Sequence, residues 1–264
     1  MQRDRVIAIL FISTLSIFLF TSAGQGVCQN KPLVLVTGQW PPFRISDETR
    51  PFGLRGIDID LASKTFQTLG LDITIERHPW ARCLALMRSG MADLTSGIAY
   101  TAERDQYLLY VPVSYYTVRP VFYAQKGKSH ILRKYDDLYG FMVGYVLGSA
   151  YFEPFNSDFR ISKIGVSKEA QLIPMLRLGR VDVSIGTEPN LSYDIARLGY
   201  KGALEPTQYQ PQEETELFFA ISRKSPAVSY AQKIERILEQ FVSDGVVDEI
   251  VNEYRQLVSE RKEP

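Results

Sequence analysis

Two kinds of hydrophobic spacing alternate along most of the chain, after an opening run that fits neither. Val6 to Phe20 is apolar apart from Ser13, Thr14 and Ser16. From Leu33 onward, short β-rich runs trade places with stretches whose apolar residues recur at helical spacing. Leu33 to Thr37 reads as a strand. Ile59 to Leu69 sets Leu61, Thr65, Phe66 and Leu69 on one helical face and closes at Gly70. Leu71 to Glu76 alternates as a strand, Pro79 opens a helix that ends at Gly90, and Asp93 to Ile98 is the next strand. Near the C-terminus Ser225 and Pro226 start a helix with a stripe of Ala231, Ile234, Ile237, Leu238 and Phe241. Gly245 breaks it, and Val246 to Leu257 forms a second amphipathic helix. Strands alternating with crossover helices predict an α/β fold whose sheets are mostly parallel.

Part of this pattern occurs twice. Met87 to Gly97 lies over Leu176 to Gly186 at an offset of 89, with Arg, Gly, Asp and Gly coinciding and Thr95 facing Ser184. Each copy reads as helix end, glycine cap and a strand running to a tip of small residues. Two similar α/β units predict two lobes. Ligands of such sheets bind beyond the carboxyl ends of the strands, so the tips Thr95–Ala99 and Ile185–Glu188 would face a common cleft.

The opening run acquires a meaning from its flanks. A basic start, Met1-Gln-Arg-Asp-Arg5, precedes it and small residues follow to Gly26. This order predicts a secretory signal peptide over residues 1–26, with an apolar core short for a membrane span. Without Arg3, Asp4 and Arg5 the remainder carries 28 basic and 29 acidic residues. No basic patch stands out, which argues against nucleic acid as a partner. Cys28 and Cys83 are available for one disulfide in an oxidising compartment, a pairing the sequence leaves open. With His78 and His130 as its two histidines, the chain offers little from which to build a metal cluster or a cysteine–histidine nucleophile. No phosphate-cradling glycine motif is present, and no cofactor is implied.

Several short motifs stand in a telling order. Trp40-Pro-Pro-Phe43 follows the first strand, then come Gly56-Ile-Asp-Ile-Asp-Leu61 and Gly90-x-x-Asp93. Thr101-Ala-Glu-Arg104 leads to Val113-Ser-Tyr-Tyr116, followed by Val143-Gly-Tyr-Val-Leu-Gly-Ser149 and Ile221-Ser-Arg-Lys224. Together they resemble the family 3 extracellular solute-binding proteins, periplasmic receptors typified by polar amino-acid uptake systems, over about residues 32–257. The resemblance implies a two-lobed type II periplasmic-binding-protein fold, each lobe a mostly parallel sheet flanked by helices. Lobe one would comprise residues 31–118 and the C-terminal helices of 217–258, lobe two residues 119–216, and 259–264 a tail. Crossings would fall near Thr117–Arg119 and Glu214–Leu217. The expected function is a periplasmic, monomeric receptor, without catalysis, that closes over a small carboxylate-bearing molecule and serves an ABC permease or a membrane sensor. The alternatives are a dehydratase-like enzyme on the same fold, for which Glu153 and Glu188 are the suggestive acids, and a receptor-like adaptor.

Arg104 is the sharpest site candidate. A cation at a helix start opposes the helix dipole, whereas a guanidinium fork matches a carboxylate; the resemblance likewise places the ligand's carboxylate on this arginine. Other ligand-binding candidates are Thr95, Ser96 and Gly97 at the first strand tip, with Trp40, Phe43 and Trp80 as flat walls. Arg82 follows a strand end, Tyr115 lies near the hinge, and Ser149 is expected to open a helix after Gly148. In the second lobe the family's acid for an α-ammonium aligns with uncharged Thr187, beside Glu188, and Ala99 stands where the family carries Ser or Thr. These departures predict a preference for a carboxylate, aromatic or dianionic, over the common L-amino acids.

Overall fold

The structure, a computed structural model, describes residues 31–260. The expected signal peptide, Cys28 and residues 261–264 of the expected tail lie outside the described residues. Among the described residues no helix is long and apolar enough to cross a membrane.

The first half runs β1 (Leu33–Thr37), the short pair β2 (Ile45–Ser46) and β3 (Leu54–Arg55), α1 (Ile57–Leu69), β4 (Ile73–Arg77), α2 (Trp80–Ser89), β5 (Leu94–Ile98), α3 (Ala102–Asp105) and β6 (Leu108–Tyr110). A long strand, β7 (Tyr116–Gln125), leads to β8 (Met142–Val146), β9 (Ser162–Val166), α4 (Leu172–Arg177), β10 (Val183–Glu188), α5 (Asn190–Arg197) and β11 (Leu204–Pro206). Strand β12 (Thr215–Ser222) returns, and α6 (Ala231–Ser243) and α7 (Val246–Glu260) close the chain. Ser225 caps a 3-10 turn over Pro226–Tyr230, accepting the Ala227 N–H at 2.9 Å, so α6 begins five residues later than Pro226.

The sheet order is β4-β1-β5-β12-β7-β10-β8-β9. Read from its two ends it is the same device twice: β4-β1-β5 against β9-β8-β10, each parallel within itself. The middle departs from the parallel expectation, because β12 pairs antiparallel with β5 and β7, and β7 pairs antiparallel with β10. The segments expected as crossings meet there: Val118 opposes Thr215, Thr117 opposes Glu216 and Tyr116 opposes Leu217.

The sequence repeat has a physical basis in both copies. Gly90 and Gly179 follow the ends of α2 and α4 in the left-handed conformation, at φ +81° and +68°. The next N–H, of Met91 or Arg180, reaches back to the carbonyl of Leu86 or Met175. Asp93 then accepts the Val34 N–H at 2.7 Å, and Asp182 accepts that of Met142 at 2.8 Å. Each repeat aspartate thus pins the start of its neighbouring parallel strand. Apolar burial divides in the same way. One large cluster draws on residues between Leu33 and Val118 and between Leu217 and Tyr254. The clusters around Phe122 and Val121 draw on residues between Val121 and Leu204.

Candidate functional site

A cavity of about 340 Å³ opens where the carboxyl ends of the parallel strands converge from both halves. It is lined by Gly38, Trp40 and Arg44 after β1, by His78 and Trp80 after β4, and by Gly97 near the end of β5 with Ala99 and Arg104 beyond it. The other half supplies Val146 at the end of β8 with Ser149 and Tyr151 beyond it, Lys168 and Glu169 after β9, and Thr187 near the end of β10.

Arg104 reaches this cavity because a short helix turns it inward. Thr101 caps α3 by accepting the Arg104 N–H at 3.2 Å. The guanidinium is 5% exposed, and its Nη1 and Nη2 donate to the carbonyls of Ala99 and Gly148, each at 2.7 Å. Gly148 O also accepts the Trp80 indole N–H at 3.1 Å, so both groups of the first half lean on one carbonyl of the second. Burial pulls the Arg104 pKa below its ordinary value. Among the described residues no carboxylate pairs with it, and two carbonyls with the neighbouring Tyr110 hydroxyl occupy only part of a five-donor fork.

Arg44, which sequence reasoning passed over, is also buried at the cavity but has an acid beside it. Its Nε lies 3.3 Å from Asp58 Oδ2, and its Nη1 donates to Thr37 Oγ1 and Ser96 O at 3.0 and 3.1 Å. Its guanidinium also lies against the rings of Trp40 and Trp80, 4.9 and 5.7 Å from their centroids. Asp58 accepts the Tyr115 hydroxyl at 2.5 Å. Burial pushes the Asp58 carboxyl up from its usual range, opposed by Arg44 and Tyr115.

Glu169 is the second residue that was missed. It stands at the start of a 3-10 turn, Glu169–Gln171, just after β9, and is 7% exposed. Three donors converge on it: the Thr187 N–H on Oε1 at 2.8 Å, the Trp40 indole N–H on Oε2 at 3.1 Å, and the Asn190 amide on Oε2. Among the described residues no cation pairs with it. Burial pushes its carboxyl up to about 8, helped by the charges of Asp194 and Glu188 and opposed by the Thr187 and Trp40 donors. The sequence held a signal for it. At the repeat offset of 89, Glu169 stands opposite Trp80, which was already singled out, and both follow the carboxyl end of an outer parallel strand.

Of the predicted ligand residues, the cavity brings together Arg104, Gly97, Trp40, Trp80, Ser149 and Thr187. The others lie elsewhere for identifiable reasons. Phe43 is fully buried beneath Trp40, stacked on it at 4.3 Å between centroids, and belongs to the core. Tyr115 serves Asp58, and Thr95 donates to Val36 O at 2.9 Å within the sheet. Ser96 is buried and offers its carbonyl to Arg44. Arg82 is exposed, because the inner face of α2 is taken by Cys83, Leu86 and Met87. Glu188 follows Thr187 on a strand, so it points to the other face; there it accepts the Tyr123 and Ser192 hydroxyls at 3.0 and 2.5 Å. Ser149 opens no helix: the chain turns there and sends Tyr151, Phe152 and Phe155 into the core. Cys83 is buried, forms no disulfide among the described residues, and donates from Sγ to His78 O.

With fold and cavity in place, the comparisons with known proteins agree. The sequence model of the bacterial extracellular solute-binding proteins, family 3, matches residues 33–256, and the chain belongs to that family. Its architecture is the type II periplasmic-binding-protein fold. One similar solved structure is an amino acid ABC transporter substrate-binding protein, AbpA from Streptococcus pneumoniae, bound to L-arginine; it is 21% identical with a TM-score of 0.73, over 88% of this chain and 96% of that one. Another is the GluR0 ligand-binding core from Nostoc punctiforme in complex with L-glutamate, 21% identical at a TM-score of 0.70, over 84% and 99%. A third, a histidine kinase sensor domain with similarity to periplasmic binding proteins, is 16% identical at 0.75, over 86% and 96%.

Proposed function

We propose that this solute-binding protein holds a small carboxylate-bearing ligand, an amino acid or related organic acid, in the 340 Å³ cavity with the carboxylate on Arg104. The observation that carries this reading is a buried guanidinium with donors to spare and no carboxylate partner among the described residues. Burying such a charge costs several kcal/mol unless an anion compensates it, and a ligand carboxylate is the compensation that fits a planar fork. The ligands of the two similar proteins, L-arginine and L-glutamate, both carry one.

The protein works outside the cytoplasm as a monomer and delivers its ligand to an ABC permease or reports it to a membrane sensor. Residues 31–118 with 217–258 form one lobe and residues 119–216 the other, and they close about the paired crossing strands β7 and β12. Trp40, Trp80 and Arg104 supply the contacts of closure, since each donates across to the opposite half. An enzymatic reading would draw on Glu153 and Glu188, but Glu153 is exposed and bonded to Ser157 and neither residue lines the cavity. A thermal-shift panel tests the proposal by setting each of the common amino acids and organic acids beside its methyl ester. Acids that bind should raise Tm in a concentration-dependent way, and their esters should not. Equal stabilisation by acid and ester would remove the carboxylate from recognition.

A further inference from the structure

We propose that Glu169 receives a cationic group of the ligand, standing in for the strand-tip acid that Thr187 cannot supply, so that the cavity is built for a zwitterion. This rests on the receptor reading above and sharpens it. It also reverses the expectation from sequence that amine-bearing ligands are disfavoured, which held only while no acid faced the cleft.

The cavity contains a cation without an acid and an acid without a cation, and they do not pair with each other. Arg104 comes from the first half and Glu169 from the second. The other buried charges at the cavity, Arg44 and Asp58, face each other at 3.3 Å, while Arg77 and Lys168 on its lining are exposed to solvent. One ligand bearing both an anionic and a cationic group neutralises both orphans at once. A carboxylate without an amine satisfies Arg104 and leaves Glu169 buried and alone. Donors on three sides hold the Glu169 carboxyl in place, which is the preorganisation an acceptor for an ammonium requires. Two of those donors, Thr187 and Asn190, belong to the same half as Glu169. Trp40 comes from the opposite half, so the closure contact also positions the acid.

Proton linkage follows from the surroundings. On its own turn Glu169 neighbours Lys168; β10 presents Thr187, with the charge of Glu188 on its other face, α5 presents Asn190 and Asp194, and the segment after β8 presents Tyr151. Asp194 is itself paired with Arg197 at 2.8 Å, so burial is the chief influence on Glu169, and the charges of Asp194 and Glu188 add to it. Without ligand the carboxyl therefore keeps its proton up to about 8. Asn190 suits both states. Its Nδ2 donates to the carboxylate, and its Oδ1, buried without a partner among the described residues, accepts the acid's proton when the amide is turned over. An arriving ammonium favours the carboxylate and expels that proton.

The test uses the full-length mature protein and matched probes: the twenty L-amino acids and their deaminated counterparts, such as L-phenylalanine with 3-phenylpropionate and L-glutamate with glutarate. Wild type should bind at least one amino acid about tenfold or more tightly than its counterpart. Glu169→Gln should bring that pair to parity while the amine-free member keeps its affinity. Wild-type titration calorimetry in buffers of different ionisation heat needs no variant. It should register proton release on binding the amino acid below pH 8, with affinity rising about tenfold per pH unit from 6 to 7.5. Tighter binding of the deaminated acids, or discrimination intact in Glu169→Gln with no proton released, overturns the zwitterion and leaves the carboxylate reading standing. Equal binding of the methyl esters removes the carboxylate from recognition instead, and stabilisation by no member of the panel counts against both.

Discussion

The two halves of this molecule each bury a carboxyl group against a glycine of the repeat, and they treat it differently. A Cβ on Gly97 would stand 2.3 Å from Asp58 Oδ2, and one on Gly186 would stand 2.0 Å from Glu169 Oε1. Neither glycine could carry a side chain without displacing its acid. Asp58 is fully buried and held by Arg44 and Tyr115, so its charge is answered inside the protein. Glu169 is surrounded by neutral donors, and its charge is answered by nothing among the described residues. The first acid belongs to the scaffold that orients Trp40 and the strand tip. The second has the incomplete solvation expected of a group that waits for a partner.

Removing each acid should separate the two roles. Asp58→Asn leaves Arg44 buried without its counter-charge and should cost about 3–5 kcal/mol in denaturant unfolding. Glu169→Gln removes no ion pair and should cost less than about 1.5 kcal/mol, the scale of one hydrogen bond. Comparable losses from the two variants would break the distinction.

A smaller effect sharpens it through pH. A carboxyl whose folded pKa is raised contributes stability that is fully present below its unfolded value and is lost as pH rises through the folded one. For Glu169 that window runs from the usual 4.5 to about 8. Wild type should lose stability across it relative to Glu169→Gln, by at most about 1.4 kcal/mol per pH unit. Parallel stability profiles for the two proteins would show that Glu169 ionises as freely as a surface acid.

Much of the frame was legible in the chain. The strands at Leu33–Thr37 and up to Ile98, the helices closed by Gly70 and Gly90, and the doubled glycine–Asp unit all follow from local periodicity and capping. They recur in the structure at nearly the same residues. The antiparallel centre was not legible, because β7 and β12 pair across about a hundred residues and nothing local marks their direction. In the site, Arg104 was readable because a cation at a helix start contradicts its surroundings. Phe43 and Tyr115 misled because an aromatic or a hydroxyl has the same sequence signature whether it faces a ligand or a buried neighbour. Glu169 and Arg44 were invisible for a different reason: a charged residue in a polar stretch reads as solvated surface until the fold withdraws the water.

Arg104 is the cation that Glu169 does not answer, and the ligand's carboxylate is assigned to it. Arg104→Lys keeps the charge and removes the fork. Calorimetry with an acid selected by the thermal-shift panel should show affinity falling roughly 10- to 100-fold, the loss of a charged hydrogen bond worth about 1.5–3 kcal/mol. Wild-type affinity in Arg104→Lys would contradict the assignment of the ligand's carboxylate to Arg104.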